Sequence, residues 1–454
     1  MGPRPRSGGF PVAIAGGEQR TGPRGRISLQ TFAAFEIRDF RLLWANNFSY
    51  ALVQGIERFA FAWLVIDTLQ AGDFYLGLSA FALGIPVFFF SLPAGVLADR
   101  WNRRLLLVVS QVIVLVGAVL AAVLIWVDLM TLRVALGMAL FVGTGVAVGQ
   151  PVRQALIPAV VPPHRLMNAI TLNSAGQTVS QMVGPALGGA AIAVAGLEGN
   201  FALQAILMGA GLIFIVPLRI PARALDPVTA AGSGLRVMAT DIVEGFRFIV
   251  RNDNIRSLFV LLLVTSLVIN GPWVTLLPRV AQLQLDADGP AASWLFAYLG
   301  IGLTCSSLAL ASLQGSLRNA GGWFICALMT SSTFAIIIGF SHSYLLTALL
   351  LSLTGLSAGV FTNLNLTLIQ SYTPQPVMGR VMAIFTLIML GGTPLGGLLG
   401  GLGAEWVGAG RWFSICGVAS VAVGAFFLLT NAGLRRMHSH PEEAVAAPAE
   451  SGSG

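Results

Sequence analysis

Apolar runs of roughly 20 residues, the length a helix needs to cross about 30 Å of hydrocarbon, recur along the whole chain between charged positions and Pro/Gly clusters. Their limits predict twelve transmembrane helices, at 43 to 66, 74 to 98, 104 to 127, 132 to 157, 166 to 195, 200 to 218, 256 to 277, 293 to 313, 322 to 340, 343 to 369, 379 to 403 and 411 to 431. The expected fold is therefore an all-α, polytopic membrane bundle. The sixth and seventh runs are separated by the 37 residues from Arg219 to Ile255, much the longest internal connection, which divides the chain six plus six. The expected organisation is a disordered basic arm (1–41), a six-helix half (42–218), a linker (219–255), a second six-helix half (256–432) and a disordered tail (433–454).

Within the linker, Leu235, Met238, Ile242, Phe246 and Ile249 recur at intervals of three and four, with Arg236, Asp241, Glu244, Arg247 and Arg251 between them. That spacing predicts an amphipathic helix, lying on the inner membrane surface or on the bundle. A role as a regulatory docking site stays open beside this connecting one.

Composition supports the same class. With 56% hydrophobic and 10% charged residues, the chain lacks the charge, about 25%, that covers a water-soluble protein, so soluble enzyme classes are excluded. All 26 basic residues are arginine. With the N-terminus in the cytoplasm, 22 of them fall inside, and the short loops divide seven (Arg153 among them) to three in favour of that side, which places both termini in the cytoplasm of a cell membrane protein. The chain holds no lysine and no GxxxxGK[ST] loop, so it does not hydrolyse ATP by that route. Cys305, Cys326 and Cys416 have no CxxC spacing and read as small core residues. Neither a nucleophile with its base nor a metal-ligand cluster is visible, so the chain is expected not to be an enzyme, to need no cofactor or metal, and to bind no nucleic acid.

Between the second and third runs stand Gly95-Val96-Leu97-Ala98-Asp99-Arg100-Trp101-Asn102-Arg103-Arg104. A glycine permits tight packing at a helix end, an aspartate accepts from helix amides or an arginine, and arginines hold a turn at the interface. This segment resembles the gating loop of the major facilitator superfamily, G-x-x-x-D-R-x-G-R-R, at the place where that family has it. Asn102 stands where the pattern has glycine, and tolerates left-handed backbone better than most residues. The resemblance implies two six-helix halves, each a pair of three-helix inverted repeats, that rock around a midplane site. Phe40-Arg41-Leu42-Leu43-Trp44, Trp63-Leu64-Val65, Ile157 to Pro162 and Asn168-Ala169 are similar to the drug:proton antiporters that include macrolide and enterobactin-type exporters. Gly184, Pro185, Gly188 and Gly189 resemble the helix-packing motif of exporters in that superfamily: glycines four apart let helices approach and proline bends the segment.

Of the acidic residues, Glu57 alone lies deep within a run, and Arg58 follows it. Adjacent helical residues point about 100° apart, so the two need not pair. Glu57 shares a face with Asn46, Tyr50 and Val53, and Arg58 with Asn47 and Gln54, giving a broad polar face on the first helix. Burial disfavours a carboxylate whereas a neighbouring arginine favours it, which leaves three readings of Glu57 open: proton coupling with Arg58, a structural network, or substrate contact. The arginine that drug:proton antiporters often carry in the fourth span is replaced by Ala139, so Arg58 is the one deep arginine expected. Asn173, Gln177 and Gln181 recur every four residues and are expected to line a wet cavity rather than meet lipid. Asn270-Gly271-Pro272-Trp273 interrupts the seventh run, a hinge tolerated only where protein or water receives the freed backbone groups. Asn363, with Asn365, is a further cavity candidate.

The expected function is secondary active transport by alternating access: proton-coupled export, by a monomer, of an amphipathic drug, siderophore or secondary metabolite. Two other readings remain, a lipid or lysolipid transporter on the same scaffold, and a transport-inactive sensor or assembly partner.

Overall fold

The computed structural model describes residues 32–100, 102–218, 235–312, 317 and 319–439, with backbone alone at 91–100, 235–241 and 311. The described elements are helical. A 3-10 turn (Ala33–Glu36) leads into α1 (Arg38–Trp63), followed by α2 (Asp73–Arg100), α3 (Arg103–Trp126), α4 (Leu132–Val160), α5 (Leu166–Ile215) and α6 (Leu235–Arg251). The rest is α7 (Asp253–Val264), α8 (Gly271–Leu285), α9 (Gly289–Ser312), α10 (Ala320–Ile338), α11 (Tyr344–Tyr372), α12 (Gln375–Val407), α13 (Ala409–Thr430) and the short α14 (Ala432–Arg435). Short polar side chains start several of them by accepting from first-turn amides: Asn102 for α3, Thr131 for α4, Asn252 for α7, Ser343 for α11 and Asn431 for α14.

Ten segments among the described residues are long and apolar enough to cross a membrane, against the twelve expected. One of the ten, Pro163–Ile215, contains the fifth expected run and most of the sixth. Inside it Ala195 and Gly196 leave helical geometry, and Gly196 has φ +69, a conformation that costs glycine little. The Asn200 amide nitrogen donates to Gly188 O at 2.8 Å. Residues twelve apart in a straight helix are about 18 Å apart, so α5 folds back on itself at this break. Helix α1 is not among the ten: Asn46, Asn47, Tyr50, Gln54, Glu57 and Arg58 make it too polar.

The ends differ from expectation where polar contacts extend the order. The N-terminal side is helical well before residue 42, because Ala34 N donates to Asn168 Oδ1 and Arg165 pairs with Glu36 at 2.7 Å. The C-terminal side stays ordered past 433: Leu434 is buried, and Ser439 O accepts from Ser371. The interruption expected at Asn270 is a π-helical turn (Thr265–Asn270) that runs straight into α8, with Pro272 in the first turn, where its missing N–H is harmless. Helix α6 turns Ile242 and Ile249 onto the core of the following helices, but Phe246 points outward, so the expected single apolar face is divided; Leu235 and Met238 lie outside the described side chains. Cys416 is buried, whereas Cys305 and Cys326 are exposed on helix surfaces and are not core residues.

Helices α1 to α5 pack on one another, as do α7 to α13, and the two groups meet chiefly along α2 with α12 and α5 with α9. The apolar core is correspondingly uneven. At the end where α1 finishes and α2 begins, a single cluster joins Phe59, Trp63 and Leu76 of the first group to Trp273, Leu276, Leu295 and Ala404 of the second. At the opposite end each group has a core of its own, around Phe40, Leu107 and Leu156 in one and Leu258, Phe324 and Leu368 in the other. The bundle is thus closed across its two groups at one end. That closure is polar as well as apolar: Arg279 Nε donates to Asp73 Oδ1 at 2.7 Å, and Phe74 N donates to Glu405 Oε2 at 3.1 Å.

Candidate functional site: a charged cavity between the two groups

Beneath the closed end lies a cavity of about 340 Å³. Its wall comes mainly from α1, α2 and α4, with Gln177 and Gln181 of α5, and from α8 and α12 across the divide. Helix α1 supplies the polar face that its sequence predicts: Asn47, Tyr50, Gln54, Glu57 and Arg58 all line the cavity. Asn46, expected beside Glu57, turns away instead and donates to Gln111 Oε1 (2.8 Å) and Gly211 O (2.9 Å), tying α1 to α3 and the second arm of α5.

Glu57 is 3% exposed, and its Oε1 has no hydrogen-bond partner. Arg58 is exposed into the cavity and makes no ion pair with Glu57 or any other described residue. Gln54 Nε2 reaches the Tyr50 hydroxyl at 3.4 Å.

The largest departure from the sequence reading is Arg153, expected among the cytoplasmic loop arginines. Helix α4 continues through Pro151 and Pro158 to Val160, so Arg153 sits inside the bundle, 5% exposed and in the cavity wall. Its guanidinium carbon lies 3.4 Å from the centre of the Tyr50 ring, Nη2 donates to Gln111 Oε1 at 3.4 Å, and Nε and Nη1 have no partner. Arg58 is therefore not the only deep arginine. Gln150, one turn before Arg153, lines the cavity too; the pair of polar residues at helical spacing within the last turns of the fourth apolar run was the available signal.

Three expected cavity residues lie elsewhere. The Asn173 amide oxygen accepts from Asn47 Nδ2 at 2.9 Å, so it braces a lining residue instead of lining. Asn270 falls in the π-helical turn outside the wall. Asn363 donates to Gly359 O at 2.8 Å and to Ser307 Oγ at 3.2 Å, joining α11 to α9.

These features, a helical bundle closed at one end over a charged cavity between two groups, match known proteins across nearly the whole chain. The family model described as transmembrane secretion effector, of the major facilitator type, matches residues 29–450. The chain belongs to this family. Its relatives include the enterobactin exporter EntS of Citrobacter koseri (26% identical over 388 residues, 84% of this chain and 89% of that protein) and of Shigella boydii serotype 18 (25% over 393 residues, again 84% and 89%). Among solved structures, the fold is similar to a POT family transporter in complex with 5-aminolevulinic acid (TM-score 0.68, 13% identity, 87% of this chain and 96% of that one). It is also similar to a bacterial homolog of the human lysosomal transporter Spinster in an inward-facing, occupied conformation (TM-score 0.63, 16% identity, 89% and 96%). The protein is accordingly a multi-pass membrane transporter of the major facilitator type.

Two motifs of this secretion effector chain act through packing. A side chain at Gly184 would come within 2.9 Å of Leu52 O, and Pro185 lies against Gly55, so this stretch seats α5 directly on α1. Gly188 faces Ile56 and Asn200, and Gly189 faces Ser293 of α9, across the two groups. In the segment that resembles a gating loop, Gly95, Asp99 and Arg100 have helical backbone, and their side chains lie outside the described residues. Asn102 is not left-handed (φ −64, ψ 108); it replaces the pattern's glycine by capping α3, accepting from Arg104 N at 2.9 Å. Arg104 Nη2 donates to Val216 O at 2.6 Å, and Arg103 Nη1 to Ala155 O at 3.4 Å, pinning the start of α3 to the ends of α5 and α4.

Proposed function

We propose that this protein is a secondary active exporter of an amphipathic small molecule, working by alternating access and coupled to protons through Glu57. It acts as a monomer with both termini in the cytoplasm, and transports its cargo without chemically changing it.

The observation that carries this reading is the position of Glu57, a carboxyl group with an unpartnered oxygen at the cavity wall between the two groups. A buried carboxyl can lose its proton only when water or a counter-charge reaches it. An arrangement that opens the cavity first to one side and then to the other gives Glu57 that access alternately. Supporting evidence is the single core joining the groups at one end and the separate cores at the other, the form a rocking motion about the cavity requires. The direction follows the exporter relatives, whose named substrate, enterobactin, is of the small-molecule class proposed here.

Inside-out vesicles from cells making the full-length protein test the reading. Uptake of members of a panel of siderophores and lipophilic dyes on acidification of the vesicle lumen, collapsed by a protonophore, is expected. Uptake unchanged by the protonophore contradicts the proton coupling, and the absence of any movement across the panel contradicts small-molecule export.

A further inference from the structure

We propose that the cargo site takes an acidic ligand, whose carboxylate oxygens dock on the guanidinium groups of Arg58 and Arg153. This rests on the transporter reading above and names the chemistry of its cargo.

The charge count of the cavity is the starting point. Arg58 and Arg153 face it with Glu57 as the one acidic side chain in the wall, so an ionised Glu57 leaves one positive charge in excess and a neutral Glu57 leaves two. A single acidic group on the ligand, with Glu57 ionised, brings the wall to neutrality. An organic cation would raise the excess.

The donors are also unused. Arg153 is almost fully buried, yet Nε and Nη1 have no partner, and it has only the Gln111 amide oxygen and the face of Tyr50 for company. An arginine buried with idle donors is costly unless something complements it. The planar fork of guanidinium N–H groups matches the two oxygens of a carboxylate. Space is kept for it: a side chain at Gly149 would collide with Arg153 Nη1, so glycine there lets the guanidinium occupy its place. Arg58 adds a second fork that projects into the lumen with no ion-pair partner among the described residues.

Across the divide, the facing wall is mainly apolar, with Val274, Met389, Leu390 and Pro394 beside the two uncharged hydroxyls of Thr275 and Thr393. The cavity thus has one basic wall and one uncharged, mainly apolar wall, which fits a ligand with an acidic end and a hydrophobic body, oriented with its acid toward α1 and α4.

Equilibrium binding to the purified full-length protein in nanodiscs tests this without any gradient, using three probes: 1-pyrenebutyrate, its methyl ester, and tetraphenylphosphonium. The acid is expected to bind most tightly and the cation least. Arg58→Gln and Arg153→Gln each weaken the acid by about tenfold or more, the loss of a charge-assisted contact, and leave the ester unchanged. Glu57→Gln, which removes the competing carboxylate, tightens the acid. Arg58 projects into the cavity, so Arg58→Gln carries the test if Arg153→Gln fails to fold. The inference is overturned if the cation binds as well as the acid, if Arg58→Gln lowers all three probes alike, or if the acid does not bind to monodisperse wild-type protein. Acid that binds with this charge preference but is not exported overturns the exporter reading alone; export of a panel compound with binding indifferent to charge overturns this inference alone.

Discussion

Arg153 stacks on Tyr50, its guanidinium carbon 3.4 Å from the ring centre, and no carboxylate among the described residues pairs with it. A cation–π contact of this kind offsets part of the cost of burial, ~2 kcal/mol when desolvated, and leaves the rest uncompensated. The arrangement separates stability from function. Replacing a buried charge by an apolar side chain of similar volume is often neutral or stabilising, so Arg153→Met is expected to keep or raise the thermal unfolding temperature in detergent while transport falls at least tenfold. A variant that loses both together would mark Arg153 as a purely structural residue.

The ion pair between Asp73 and Arg279 fastens α2 to α8 at the closed end, 2.7 Å apart and with both side chains largely covered. Breaking one such charged contact is worth roughly 1.5 to 3 kcal/mol. Asp73→Asn is therefore expected to shift the bundle toward separation at that end, read as a longer spin-label distance between sites on α2 and α12. The exchange Asp73→Arg with Arg279→Asp restores the short distance. No change in the distance distribution for Asp73→Asn would show that the apolar core alone holds this end.

Gly77 of α2 meets α12 backbone to backbone: a side chain there would come 2.7 Å from Gly397 O and 2.9 Å from Gly401 Cα. Neither neighbour is a side chain that could swing aside. Gly77→Val is expected to block closure and abolish transport with the protein still inserted and folded, whereas Gly137→Ala, with open space around it, leaves transport unaltered. Transport assays on the two variants at matched expression check this.

Asn200, fully buried, holds the two arms of α5 together through Gly188 O and accepts from Gln204 Nε2 at 2.9 Å. Asn200→Ala strands the Gly188 carbonyl away from water, a loss of about 1 to 3 kcal/mol. A drop in unfolding temperature of the purified protein is the expected outcome, and an unchanged one would mean that the fold-back is fixed by the glycine at 196 alone.

Much of the site was legible in the chain because membrane burial makes polar residues conspicuous. Asn47, Tyr50, Gln54, Glu57 and Arg58 share one broad face of a helix, and such a face cannot meet lipid, so its exposure to a cavity followed from spacing. What spacing does not give is which polar residues find partners in other helices. Asn46 and Asn47 are adjacent, yet one bonds to α3 and the other lines the cavity; the difference lies in Gln111 and Gly211, far off in sequence. Asn363 was lost in the same way, to Ser307 and its own backbone. Arg153 was hidden by a different cause. Arginine near the end of an apolar run ordinarily marks a loop, but α4 runs on through Pro151 and Pro158 to Val160 and carries Arg153 inside the bundle. Asn102 shows the opposite case, a residue whose place between α2 and α3 was read from the sequence and whose conformation was not, since capping α3 needs extended backbone and no left-handed turn.

Glu57 is proposed to carry the coupling proton. The direct measurement places purified protein in proteoliposomes, imposes a pH gradient, and compares wild type with Glu57→Gln for cargo accumulation and, separately, for equilibrium cargo binding. Gradient-driven accumulation in wild type that the substitution abolishes while binding is retained is the expected result. Accumulation that persists in Glu57→Gln at the wild-type level would contradict it.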